Sequence, residues 1–150
     1  MIAVMLDSAP ATLLALPSYL TGHVARIGRK LLGDVMDAHD LRLPHFALLS
    51  ALAEFGPLAQ HDLADRLGLN RSHLVGYLDE VERRDLVVRE RDPEDRRRQR
   101  VALTADGKSL QRKLMREAEH AEKKFLEPLS AAERTTFMTL LTRLLAAEDN

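Results

Sequence analysis

QHDLADRLGLNRSHLVGYLDEVERRDLVVRERDPEDRRRQRVALT, residues 60–104, contains the change of hydrophobic period that decides the fold. Leu63, Ala64 and Leu67 recur at helical spacing, and Gly68 supplies a turn. Asn70 then caps a second helix in which Leu74, Tyr77, Leu78 and Val81 share one face. Past Arg84 the pattern becomes alternating and β-branched in LVVRERD and RRQRVALT, and Asp92-Pro93 breaks the first run. Two short helices on a glycine turn, followed by a hairpin whose tip is crowded with arginine, describe a winged helix-turn-helix.

Composition sets the frame around that stretch. At 150 residues the chain is one ordinary domain, long enough to bury a core without covalent staples. It has no cysteine, so disulfides, thiolate metal sites and thiol redox switching are not available to it. No apolar run approaches the roughly 18 residues of a membrane span. The opening MIAVML lacks a basic leader and meets Asp7 at once, so the expectation is a soluble, cytoplasmic protein without a signal peptide or a membrane partner. The formal net charge is only −1, but Arg83, Arg84, Arg89, Arg91, Arg96, Arg97, Arg98 and Arg100 crowd one short window while the acids are dispersed. Distribution matters more than the sum for a polyanionic partner.

Outward from the centre the chain is helical. Leu13, Leu16, Leu20, Val24, Ile27, Leu31 and Val35 step by three and four, predicting a long helix with Pro17 in its first turn. Residues 1–9 show no period and read as a tail or as an arm laid on a partner. Pro44 opens a second helix that Gly56-Pro57 closes. After the hairpin, Thr104 caps a fifth helix carrying Leu110, Leu114, Ala118, Ala121 and Phe125. Ser130 and Glu133 form a capping box for a sixth, with Phe137, Leu140, Leu141, Leu144 and Leu145. The fold class is therefore mainly α: six helices with a β-hairpin wing. Residues 1–40 and 105–150 are expected to form dimerisation helices from both termini, and 41–104 the winged helix-turn-helix lobe. The terminal helices carry more apolar surface than such a small lobe needs, which a twofold homodimer would bury; the alternative is that they close a monomeric bundle.

The second helix of the central stretch divides cleanly. Opposite its apolar face lie Arg71, Ser72, Val75, Gly76 and Asp79, with His73 on the flank. Arg71 suits a guanine edge or a phosphate, Ser72 a phosphate or base, and Val75 a thymine methyl. Gly76 leaves room for close approach, at about 1 kcal/mol of helix propensity. Arg96, Arg97 and Arg98 at the hairpin tip suit phosphates or a narrow minor groove. Asp95 repels phosphate, and its expected role is to hold and aim Arg97. The candidate duplex-DNA interface is thus Asn70, Arg71, Ser72, His73, Val75, Gly76, Asp95, Arg96, Arg97 and Arg98. The alternative is a winged-helix module that binds an acidic protein through Arg96–Arg98.

These residues resemble the MarR family of bacterial transcriptional regulators. Asp95, Arg97, Val101, Leu103 and Thr104 match that family's wing signature, and Gln60 to Tyr77 matches its helix-turn-helix. The resemblance implies a homodimer built from the first, fifth and sixth helices, with each fourth helix in a major groove and each wing in an adjacent minor groove of a pseudo-palindromic operator. It also implies a ligand-responsive repressor released by a small phenolic or anionic effector held between the dimer helices and the DNA-binding lobe. Asp85 stands where the family usually has glycine, and Asp tolerates the left-handed geometry needed there. Gly76 replaces a residue that is commonly polar or basic.

For the effector, Leu20, His23, Arg26, Ile27, His45 and Leu49 are the candidate pocket residues, with Leu48 as further lining. No histidine pair or His/Glu cluster has metal-ligand spacing. No phosphate-binding loop, nucleophile elbow or paired-carboxylate arrangement suggests an enzyme or a cofactor.

Overall fold

Pro17 restarts the first long helix instead of sitting inside it. In the computed structural model, which describes residues 6–148, a short helix α1 (Ala11–Leu14) ends before α2 (Pro17–Asp37) begins at the proline. Proline has no N–H to offer the preceding turn but costs nothing at a first helical position, so the chain breaks immediately before it. Residues 6–8 are also helical, which the lack of period there did not suggest. The remainder of the expected tail or arm, residues 1–5, lies outside the described residues.

The elements that follow are α3 (Leu43–Phe55), β1 (Leu58–Ala59), α4 (Gln60–Leu67), α5 (Arg71–Arg83), β2 (Val87–Arg91), β3 (Gln99–Leu103), α6 (Ala105–Phe125) and α7 (Ala131–Glu148). Local chemistry sets most of their ends. Gly68 closes α4 in the left-handed region at φ 60, and Asn70 Oδ1 accepts the Ser72 N–H at 2.8 Å to open α5. Asp85 turns the chain into the wing at φ 56. Thr104 Oγ1 accepts the Gly107 N–H at 3.0 Å, while Ser130 and Glu133 bond reciprocally at 2.7 and 3.2 Å.

The sheet has three antiparallel strands in the order β1-β3-β2. Val87 pairs with Leu103 and Arg91 with Gln99 across the wing, and Leu58 pairs with Val101 on the other edge of β3. The two-residue β1 has no counterpart in the sequence expectation.

The chain separates into two compact units. Leu32–Glu119 form one, with a continuous core of Met36, Leu48, Leu49, Leu63, Leu74, Leu78, Val81, Val101 and Leu114. Gly107 is required inside it: a Cβ at that position would stand 1.9 Å from the Leu86 carbonyl oxygen. The described residues up to Leu31 and from His120 onward form the other unit. There α7 has no buried residue, and Leu20, Val24, Leu140, Leu144 and Leu145 are exposed. Leu20, Val24, Leu140 and Leu144 border an apolar groove of about 400 Å³ together with Phe125 and Phe137.

Candidate nucleic-acid interface

The second helix of the helix-turn-helix, α5, has three distinct faces. Leu74, Leu78 and Val81 are buried in the core. Arg71, Ser72, His73, Val75 and Gly76 are exposed, and Val75 keeps 42 % of its surface accessible although it is apolar. Tyr77, Glu80 and Arg84 make up the third face, described below. Val75 thus lies exposed beside Arg71 and Ser72 on the side of α5 opposite its buried face. Asn70 does two jobs at the start of this face. Its Oδ1 accepts both the backbone N–H and the hydroxyl of Ser72, at 2.8 and 2.6 Å, so Ser72 is oriented by the cap.

The wing is tied to α5 by Arg89. Its guanidinium meets Asp79 at 2.6 Å and Glu82 at 3.4 Å, and its Nε is buried without a hydrogen bond. Asp79 lies on the outward side of α5, yet it is engaged by the wing. Arg100 is likewise paired with Glu90 at 2.8 Å, and Arg84 donates to the His39 and Asp40 carbonyls at 3.0 and 3.1 Å. Much of the arginine window is therefore internal bracing. Arg91 and Arg96 have no ion-pair partner among the described residues, and Arg97 is 93 % exposed.

Asp95 shapes the tip mainly through the backbone. Its Oδ1 accepts the Arg97 N–H at 3.1 Å and approaches Arg97 Nε at only 3.4 Å; its Oδ2 is 3.7 Å from Arg98 Nε. The Arg98 N–H donates to the Asp95 carbonyl at 2.9 Å. The carboxylate thus stiffens a turn that points Arg96, Arg97 and Arg98 outward, and its grip on the Arg97 guanidinium is secondary.

Between α5 and the wing runs a groove of about 370 Å³ that brings Arg71 and Val75 together with Arg98, and adds Gln60, His61 and Gln99. These three were not singled out in the sequence. Their position follows from β1, which places the start of α4 beside β3, and no periodic signal announces a two-residue strand.

The candidate effector residues divide between the two units. In one, His23 Nδ1 lies 3.2 Å from Arg26 Nη2 and its ring packs edge-on to Tyr19 at 4.5 Å; Leu20 is exposed and Ile27 partly buried. In the other, Leu48 and Leu49 are fully buried in the core, and His45 is 1 % exposed. His45 Nδ1 accepts the Arg42 N–H at 2.9 Å, so it caps α3. Burial, followed by the Arg42 charge and against the pull of Glu80, holds its pKa below the ordinary 6.5. Desolvation pushes the Glu80 carboxyl up, but the Arg42 hydrogen bond and the nearby His45 and Arg42 charges outweigh it and leave it below the usual range. His39 Nε2 and Glu117 Oε2 lie 2.6 Å apart, a contact that lowers the Glu117 pKa.

A glycine-turned helix pair with an exposed reading face, next to an arginine-tipped hairpin, defines a winged helix-turn-helix regulator. Residues 39–98 match the MarR family model. The transcriptional regulator HosA of Escherichia coli O111:H- is 32 % identical over 108 residues, covering 72 % of this chain and 80 % of that one. The homoprotocatechuate degradative operon repressor of Escherichia coli is 28 % identical, covering 75 % and 76 %. Among solved structures, the PcaV regulator of Streptomyces coelicolor in complex with its natural ligand superposes with a TM-score of 0.77 at 31 % identity, over 93 % of this chain and 99 % of that one. The chain belongs to the MarR family and is a transcriptional regulator of that family. Among the described residues, no helix is long and apolar enough to cross a membrane.

Proposed function

We propose that the chain is a repressor that reads a pseudo-palindromic duplex operator as a homodimer and is released by a small phenolic or anionic ligand. The observation that carries the DNA reading is the exposed face of α5 beside the wing tip. Arg71, Ser72 and Val75 are unobstructed and helix-mounted, while Arg96, Arg97 and Arg98 project from a turn stiffened by Asp95. Such a helix fits a major groove, and a hairpin tipped with guanidinium fits the adjacent minor groove. The pairing of two copies through α2, α6 and α7 is supported by the apolar groove of Leu20, Val24, Phe137 and Leu140, which a second copy would cover. Repression and ligand release are supported by the relatives: one carries the name of a degradative operon repressor, another was solved with its natural ligand.

Binding to duplex DNA over a salt series, with an acidic protein as competitor, tests the reading. Phosphate contacts predict an affinity that falls steeply and log-linearly with salt. Arg97→Ala should weaken binding by about 1–3 kcal/mol and leave the dimer intact. Ser72→Ala and Val75→Ala should change which sequence is preferred more than they change nonspecific affinity. Salt-independent binding, or an acidic protein that displaces duplex DNA and binds more tightly, would favour a protein-interaction module instead.

A further inference from the structure

The third face of α5 is held by the segment from His39 to His45. Arg84, at the end of α5, donates to the His39 and Asp40 carbonyls. Glu80 receives the Arg42 guanidinium at 2.9 Å, and Tyr77 lies under that guanidinium at 5.1 Å and edge-on to the His45 ring at 5.3 Å. Tyr77, Glu80 and Arg84 are spaced by three and four, so they form one stripe, turned away from Arg71, Ser72 and Val75. Whatever shifts this clasp shifts the reading face on the same rigid helix.

His45 sits at the centre of the clasp, its Nδ1 committed to the cap and its Nε2 beside Glu80. Nδ1 accepts the Arg42 N–H, so in the neutral ring the proton is on Nε2. Glu80 Oε2 stands 2.8 Å from Nε2, at ion-pair distance. A second proton has to go on Nδ1, where the Arg42 N–H already points, and two donors cannot share that site. Protonation therefore breaks the cap of α3 and moves Arg42, the residue that grips Glu80. The charged groups around the ring are Glu80 from α5, Arg42 at the start of α3, and Arg83, Arg84 and Asp40, which border the same shallow cavity.

We infer that His45 is a positioning residue for DNA reading: neutral, it holds the clasp that orients α5; protonated, it releases the clasp and weakens operator binding in acid. This rests on the reading of α5 as the DNA-reading helix. The lowered His45 pKa fixes the direction. The unfolded chain takes up this proton near pH 6.5, before the folded chain does, so the stability due to neutral His45 is complete above that value. It is lost as pH falls from there toward the folded pKa.

The test compares wild type with His45→Gln, whose side-chain oxygen can accept the Arg42 N–H as in a capping box but does not titrate. Duplex affinity and folding stability are measured from about pH 7.5 to about pH 5.5, spanning the range of histidine titration. At the upper end the two proteins should bind alike, within about threefold, because the cap is kept. At the lower end wild type should bind more weakly than the variant, by no more than about tenfold because its folded pKa lies below 6.5. Its folding equilibrium constant should fall relative to the variant over the same interval. Charge changes elsewhere in the chain act on both proteins and cancel in the ratio. Parallel pH profiles in both affinity and stability would overturn the inference. Absence of duplex binding at the upper pH by well-folded protein would instead overturn the DNA reading, and the stability profiles alone would then decide whether His45 is the acid-sensitive cap.

Discussion

Two helices of this chain, α5 and α7, both carry several large apolar residues, with opposite fates. In α5, Leu74, Leu78 and Val81 are sealed in a core, and the exposed remainder is polar or glycine apart from Val75. In α7, Leu140, Leu144 and Leu145 stay exposed, and no residue is buried. An apolar stripe is thus a demand for burial that the helix's own unit meets in one case and leaves open in the other. The first condition yields a helix fixed to a core with one face exposed; the second leaves apolar surface uncovered.

That contrast is broken or sharpened by substitutions, ordered by size. Leu78→Ala removes a fully buried side chain from the platform and should cost about 2–5 kcal/mol, read by denaturant unfolding. A loss under about 1 kcal/mol, the low end of packing changes, would mean that the core is slack and the platform soft. Gly107→Ala forces a methyl group against the Leu86 carbonyl and should cost about 1–3 kcal/mol by the same measurement. Leu144→Asp should hardly change the unfolding of the head, yet raise the dimer dissociation constant at least about tenfold, or about 1.4 kcal/mol, in sedimentation. An unchanged constant would place the pairing surface elsewhere.

Gly76→Ala gives the smallest and most pointed effect. A Cβ there meets no atom within 4 Å, so alanine should stabilise the head by about 0.5–1 kcal/mol. If the glycine admits close approach of a groove wall, the same variant should bind duplex DNA more weakly while being more stable. A gain in both would leave Gly76 without a role in reading.

Much of the platform was legible because its signals are local. Asn70, Thr104 and the Ser130–Glu133 pair act within a few residues of themselves, and their bonds form as their types and spacing require. Alternation exposed the wing, and Asp85 adopts the left-handed turn expected of it. What escaped depends on residues far apart in the chain. The pairing of β1 with β3 rests on two residues, and the close approach at Gly107 rests on the Leu86 carbonyl. The partners of Arg84, Arg89 and Arg100 emerge only once the chain has folded, and they turn an apparent basic window into bracing plus a small exposed tip. The capping role of His45 also escaped, because a histidine on an apolar helix carries no mark of what its ring will bond.

The central claim is that two copies of this head read one operator. Selection of bound duplexes from a random pool, at about 150 mM salt so that nonspecific phosphate binding is suppressed, tests it most directly. The account predicts enrichment of an inverted repeat whose half-sites lie about one helical turn apart. A lone half-site, or no enriched sequence from folded protein, would contradict it.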